Sequence, residues 1–258
     1  LPYATQALTD ECFKDGLSLN PSPDDFARLA ALCSSQLRPY LKSVYFRDYP
    51  AFRITQNNEN VCPEYSAIQK IKFETHLWSL DATRILKKLL QQTNHLEIFM
   101  FNPRLVREGN SWHTKYDRSL PPLRTSGDRS AERGKVNAVL ASIKSDCLSE
   151  MILADTVLSY KPLISLLEKH RGTIRKLSLR DCRLISGGWV DLLQWISYNL
   201  PSLEHLDLQY LQELTWRRAF SMYDYSDMMW ETPVTTTGKK NIDTYIATLR
   251  NEDVSDRK

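Results

Sequence analysis

Catalysis and metal binding require particular side chains gathered at particular spacings, and few in this sequence qualify. The five cysteines, Cys12, Cys33, Cys62, Cys147 and Cys182, are sparse, form no CxxC pair and have no histidine at metal-ligand spacing. Free thiols in a reducing compartment are the expected state. The five histidines, His76, His95, His113, His170 and His205, are scattered along the chain. His95 adjoins the start of an apolar triplet, His170 ends a helical stretch where a cation suits the dipole, and His205 falls on an expected strand. No G-x-S-x-G elbow, P-loop, G-x-G-x-x-G or H-E-x-x-H occurs. The expectation is therefore a protein with no catalytic residue, no metal site, no cofactor and no enzymatic activity.

Two segments offer binding chemistry instead. From Arg104 to Lys135 the chain has little aliphatic periodicity, several Gly and Pro residues, and eight basic against four acidic side chains. Its charge of +4 exceeds the +3 of the whole chain, so the remainder is close to neutral. This reads as a long loop with two alternatives open. It is a solvated linker, or it is a basic arm in which Trp112 and Tyr116 stack on the bases of a nucleic acid, the less favoured reading because acids dilute the charge. The second segment places Asp224 and Asp227 among Tyr223, Tyr225, Met228, Met229 and Trp230. It reads as a packed terminal cap or as a docking segment.

The elements that position these residues follow from a repeat. The stretch Ile174-Arg-Lys-Leu177-Ser-Leu179-Arg-Asp-Cys182-Arg-Leu184 fits the leucine-rich pattern L-x-x-L-x-L-x-x-C-x-L at every defining position. Similar triplets begin at Leu41, Ile68, Leu96, Leu148, Ile174 and Leu203, separated by 27, 28, 52, 26 and 29 residues. The interval of 52 is two units, one of them atypical or replaced by the loop. Each triplet predicts one strand of a parallel sheet, and the residues upstream predict the return helices. These are Asp24 to Gln36, Asp81 to Thr93, Arg133 to Ser145, Pro162 to His170, and a helix through Trp189, Val190, Leu193 and Ile196 capped by Ser186. The spacing of Ile242, Tyr245, Ile246 and Leu249 predicts a last helix, reached through a linker at Val234 to Gly238.

The expected fold class is α/β, a leucine-rich-repeat solenoid with parallel strands on the concave face and helices on the convex face. Residues 1–40 form a helical lead-in, residues 41–214 the solenoid with its insertion at 104–135, and residues 215–258 a capping segment. No run approaches eighteen apolar residues, and Leu1-Pro2-Tyr3-Ala4-Thr5 lacks the regions of a signal peptide, so the expected location is cytoplasmic or nuclear, with no membrane partner.

The stretch from Lys161 to Leu214, with HRGTIRKLSLRDCRLISGGWVDLLQWISYNLPSLEHLDL, resembles the C-terminal leucine-rich region of fungal F-box-type proteins. That resemblance implies the substrate-recognition region of a cullin-based ubiquitin ligase receptor. Tyr3 to Leu19 lacks the leucines and isoleucines of an F-box, so attachment to ligase subunits requires an F-box upstream of Leu1. A repeat scaffold unrelated to ubiquitin is the alternative.

Strand alternation turns the triplets into a site expectation. If the triplet positions face the core, the intervening positions and the residue after the third face outward. A protein target on the concave face then meets Tyr45, Lys72, Lys176, Ser178, Arg180, His205 and Asp207, with Arg47 among the same outward positions. Ile98, Met100 and Ile152, with Ala154 beside them, are apolar at positions expected to face solvent. Either a partner covers them or the loop folds back over them.

Overall fold

The structure, a computed structural model, describes residues 16–19, 23–35, 38, 41–47, 65, 67–74, 80–103, 134–213 and 233–255. In chain order the elements begin with β1 (Leu17–Leu19), α1 (Pro23–Cys33), β2 (Ser43–Arg47), β3 (Lys70–Glu74), α2 (Leu80–Gln92) and β4 (Ile98–Asn102). After these come α3 (residues 134–140), β5 (Glu150–Ala154), β6 (Val157–Leu158), α4 (Tyr160–Lys169), β7 (Lys176–Arg180) and β8 (Arg183–Leu184). The chain closes with α5 (Trp189–Asn199), β9 (His205–Gln209), β10 (Gln212–Glu213), β11 (Val234–Thr237) and α6 (Lys239–Ser255). The fold is α/β with a mostly parallel sheet.

That sheet has eight strands in the order β1-β2-β3-β4-β5-β7-β9-β11, and only β11 runs antiparallel. All six triplets supply neighbouring strands in chain order, as their spacing predicts. Their alignment is residue for residue. Val44, Ile71, Phe99, Met151, Leu177 and Leu206 form one row, and Phe46, Phe73, Phe101, Leu153, Leu179 and Leu208 the next. Every one of these side chains is buried, as are the leading Leu41, Ile68, Leu96, Leu148, Ile174 and Leu203. A period-2 strand with one buried face accepts only one register, because a slip of one residue turns the apolar set outward. Aromatic contacts reinforce the N-terminal half, where the Phe73 ring lies 6.0 Å from Phe46 and 5.7 Å from Phe101.

The backbone repeats the same geometry at each strand entrance. The Lys42 carbonyl accepts from the N–H groups of both Gln69 and Lys70 at 2.8 and 2.9 Å, and the Gln69 carbonyl from Glu97 and Ile98 at 2.7 and 3.0 Å. The carbonyls of Glu97, Ser149 and Arg175 do the same for the next three strands. Beyond β5, β7 and β9, Asp155, Asp181 and Tyr210 adopt positive φ of 48°, 50° and 50°. Aspartate tolerates this region better than most residues, and the bend carries the chain into the second, three-stranded sheet of β6, β8 and β10.

The helices pack on the buried face, where Leu86, Leu89, Leu90, Leu163, Leu167, Leu193 and Ile196 join the strand residues in one core. Most of the expected helices are present with shifted ends. The first stops at Cys33, the third covers only residues 134–140, and the fifth buries Leu192 beside Leu193 and Ile196 while Val190 is half-buried. The side chain of Phe26 lies outside the described residues.

Three expectations need correction. The region expected to be a helical lead-in also contributes a strand, because Leu17–Leu19 pairs in parallel with Val44–Phe46. Val234 to Gly238 is not a linker, since Val234–Thr237 forms strand β11 on the edge of β9. By contrast, the 52-residue interval agrees with the expectation that one unit is atypical or replaced, because β4 pairs directly with β5. Ser186 does not cap α5. Gly188 occupies that N-cap position, and the Trp189 N–H donates to the Glu213 carboxylate at 2.5 Å, a negative charge at a helix start. Ser186 Oγ instead accepts from the Tyr160 N–H at 3.3 Å, serving the N-terminus of the neighbouring α4.

Leu177 lies in the middle of the core row with no exposed surface. Leu177→Ala should lower unfolding free energy by about 2–5 kcal/mol in denaturant melts. A loss under about 0.5 kcal/mol, the scale of a surface substitution, contradicts its place in the core.

Candidate functional site

The face of the sheet away from the core carries the expected site residues. Its central row runs Tyr45, Lys72, Met100, Ile152, Ser178, Asp207 and Thr235 across seven strands. The row beside it runs Ser43, Lys70, Ile98, Glu150, Lys176, His205 and Thr237. Strand pairing thus brings Tyr45, Lys72, Ile98, Met100, Ile152, Lys176, Arg180, His205 and Asp207 onto one surface. All are half-buried or exposed. The side chain of Arg47 lies outside the described residues.

This surface divides into two polar groups with an apolar strip between them. On β2 and β3, the Tyr45 hydroxyl donates to Glu74 Oε2 at 2.5 Å, Lys72 Nζ sits 3.4 Å from Glu74, and the same ammonium lies 4.3 Å from the Tyr45 ring centroid. Burial works against the charged form of Lys72, but Tyr45 and Glu74 outweigh it and hold the pKa above the ordinary lysine value. On β5, β7 and β9, Lys176 Nζ donates to Glu150 Oε1 at 2.7 Å, while Asp207 accepts from Ser178 Oγ at 2.9 Å and from Arg180 Nε at 2.8 Å. A second Arg180 nitrogen, Nη2, also bonds Asp207. Between the groups, Ile98 and Met100 on β4 and Ile152 on β5 are half-buried and bring no charge.

Ser178 departs from expectation. It occupies an outward strand position but is fully buried, and its hydroxyl donates to Asp207, which Arg180 in turn holds. Glu74 and Glu150 are outward positions by the same alternation, and the structure adds the cations beside them. Thr235, 3.4 Å from Asp207 Oδ1, escapes a reading of single triplets because it requires β11 to be known as a strand.

Among the described residues the cysteines lie away from this face, with Cys33 and Cys182 buried and Cys147 exposed. Cys33, Cys147 and Cys182 are free thiols. Burial pushes the Cys33 thiol up to about 11 and that of Cys182 up to about 12, so both stay protonated and poorly nucleophilic. The Cys182 thiol instead donates to the Leu153 carbonyl at 3.4 Å and lies 3.8 Å from the Thr156 hydroxyl, tying one repeat to the one before it. Among the described residues no three His, Cys, Asp or Glu side chains cluster as a metal site would require, and no helix is long and apolar enough to cross a membrane.

His170 overturns another expectation. It does end α4, but not as a cation stabilising the helix dipole, because only 2% of it is exposed. Burial above all, with the neighbouring Lys169, pushes its pKa down to about 4 against the opposing pull of Asp146. Its Nε2 has no hydrogen-bond partner among the described residues. Cys12, Cys62, His76, His113, the 104–133 part of the insertion with Trp112 and Tyr116, and the segment from Tyr223 to Trp230 with Asp224 and Asp227 lie outside the described residues.

A histidine whose folded pKa lies below its unfolded value binds more protons when unfolded. Its contribution is therefore intact above about pH 6.5 and is lost as pH falls toward about 4, by up to about 3 kcal/mol. Chemical melts of the parent and His170→Gln should diverge across that window, with a flatter dependence in the variant. Superimposable pH profiles contradict the assignment of a buried, neutral imidazole.

No family model matches the chain, and no curated protein matches its sequence.

Proposed function

We propose that this chain is a non-catalytic protein-interaction module. In this reading the parallel strands line the concave face of a leucine-rich-repeat solenoid, the helices form its convex face, and the concave face binds a protein target. The likeness of Lys161 to Leu214 to the repeats of fungal F-box-type proteins further supports a role as the substrate-recognition region of a ubiquitin ligase receptor acting in the cytoplasm or nucleus. In this reading ligase subunits attach through a separate F-box module and not through these residues.

The observation that carries the reading is the apolar strip of Ile98, Met100 and Ile152. These residues sit on the face opposite the core, with Met100 and Ile152 in register across β4 and β5, Ile98 two residues before Met100 on the same strand, and polar side chains on either side. Apolar side chains in the middle of a surface with a polar rim are the arrangement of a binding hot spot. They contribute little to the fold from that face, since the core rows of β4 and β5 are Phe99, Phe101, Met151 and Leu153.

Binding and folding should therefore separate. Replacing Ile98, Met100 and Ile152 together by Asp should abolish capture of cellular partners while shifting the melting temperature by only a few degrees, because charges on the outer face spoil an apolar contact without opening the core. Arg180→Ala, on a neighbouring polar row, should weaken capture less. Unchanged capture by the triple variant would falsify the site assignment. The ligase role is tested independently, since these residues should bind targets but not the cullin adaptor. Stoichiometric adaptor binding by them contradicts that division.

A further inference from the structure

The charges around the apolar strip are arranged unevenly in depth. In each of the three ion pairs on this face among the described residues the cation is the more exposed partner, at 34% for Lys72 against 21% for Glu74, 41% for Lys176 against 23% for Glu150, and 48% for Arg180 against 14% for Asp207. Asp207 is drawn down by the buried Ser178 hydroxyl, and Glu74 by the Tyr45 hydroxyl. Lys70, beside Lys72 on β3, has no ion-pair partner among the described residues. A face whose formal charges nearly cancel thus presents an outer layer of cations. Those cations form two rails, Lys70 and Lys72 on β3 and Lys176 and Arg180 on β7, with the apolar strip on the two strands between them.

Resting on the reading of this face as the target-binding surface, we infer that its partner is an extended acidic peptide segment with an apolar residue between two carboxylates. The rails are three strand spacings apart, about 14 Å. An extended chain laid across the strands covers that distance in about four residues, at a rise of about 3.3 Å per residue. Residues i, i+2 and i+4 of such a segment share one side. An acidic residue at i meets one rail, an apolar residue at i+2 rests on Met100 and Ile152, and an acidic residue at i+4 meets the other rail. A nucleic acid supplies negative charge to both rails but leaves the apolar strip facing an anionic backbone, so the strip favours the peptide.

The test is fluorescence anisotropy with the whole chain and labelled synthetic peptides. The first is Gly-Ser-Glu-Ser-Leu-Ser-Glu-Ser-Gly, and its counterparts carry Lys or Gln in place of both Glu residues. The acidic peptide should bind at least about tenfold more tightly than the Lys peptide, with the Gln peptide between them. Its affinity should fall several-fold as salt rises from about 50 to about 300 mM. The double variant Lys70→Glu with Lys176→Glu should reverse the preference toward the Lys peptide, with an unchanged melting temperature to confirm folding. Equal binding of all three peptides overturns the inference. So does no binding of the acidic peptide up to about 1 mM, or tighter binding of single-stranded oligothymidylate than of that peptide. The peptide comparison in the parent chain needs no variant to fold. Charge-indifferent binding that the triple Asp substitution abolishes sinks this inference alone, whereas partner capture that survives the triple substitution sinks the underlying site.

Discussion

Strand register is the constraint on which the rest of this structure depends. At five successive entrances one carbonyl, of Lys42, Gln69, Glu97, Ser149 or Arg175, accepts two N–H groups from the segment leading into the next strand. Each such contact fixes where the next strand starts, and burial of alternate side chains penalises any slip. Register then determines both faces together. It stacks the triplet residues into two continuous core rows, and it assembles the outward positions into rows that no single repeat possesses. The apolar strip on β4 and β5 and the charge pairs around it are consequences of that alignment. The strip is signalled by apolar residues at outward positions, whereas the pairs of Lys176 and Arg180 join different strands and have no local sequence signature.

The same constraint explains what was legible in the sequence. A triplet at a near-constant interval is a periodic signal, and six of them placed the main strands and the buried leucines correctly. The 3.6-residue stripes upstream likewise indicated the helices, because amphipathic spacing is written in consecutive residues. Elements outside the period were harder to see. Leu17–Leu19 is only three residues long, and Val234-Thr-Thr-Thr237 has no apolar alternation. Each becomes a strand because a neighbouring edge offers hydrogen bonds, a tertiary cause invisible in local composition. The interval of 52, twice the period, signalled a unit that is atypical or replaced, and β4 and β5 are direct neighbours.

For the surface residues, the sequence gives direction but not partnership. Alternation placed Lys72, Lys176, Arg180 and Asp207 on one face, but Lys176 and Arg180 find their carboxylates on adjacent strands, 26 and 27 residues away in the chain, whereas Lys72 pairs with Glu74 on its own strand. Ser178 shows the limit most clearly. It has the parity of an exposed residue, and the carboxylate of Asp207 one strand over makes it a buried one. His170 is the helical counterpart. Its place at the end of α4 suggests a stabilising cation, but the packing there removes water, and desolvation outweighs what the helix terminus offers.

Cys33, Cys182 and His170 are thus absorbed into packing, while the face opposite the core keeps apolar residues among charges whose cations stand outermost. The claim that this face meets the partner is tested most directly by site-specific photo-crosslinking. A photoreactive amino acid is placed at Met100 on the strand face or at Tyr198, which is 79% exposed on α5 and belongs to the helical side. The account predicts covalent partner adducts from position 100 and none from position 198. Adducts from position 198 with none from position 100 would contradict it, and would assign partner binding to the helices.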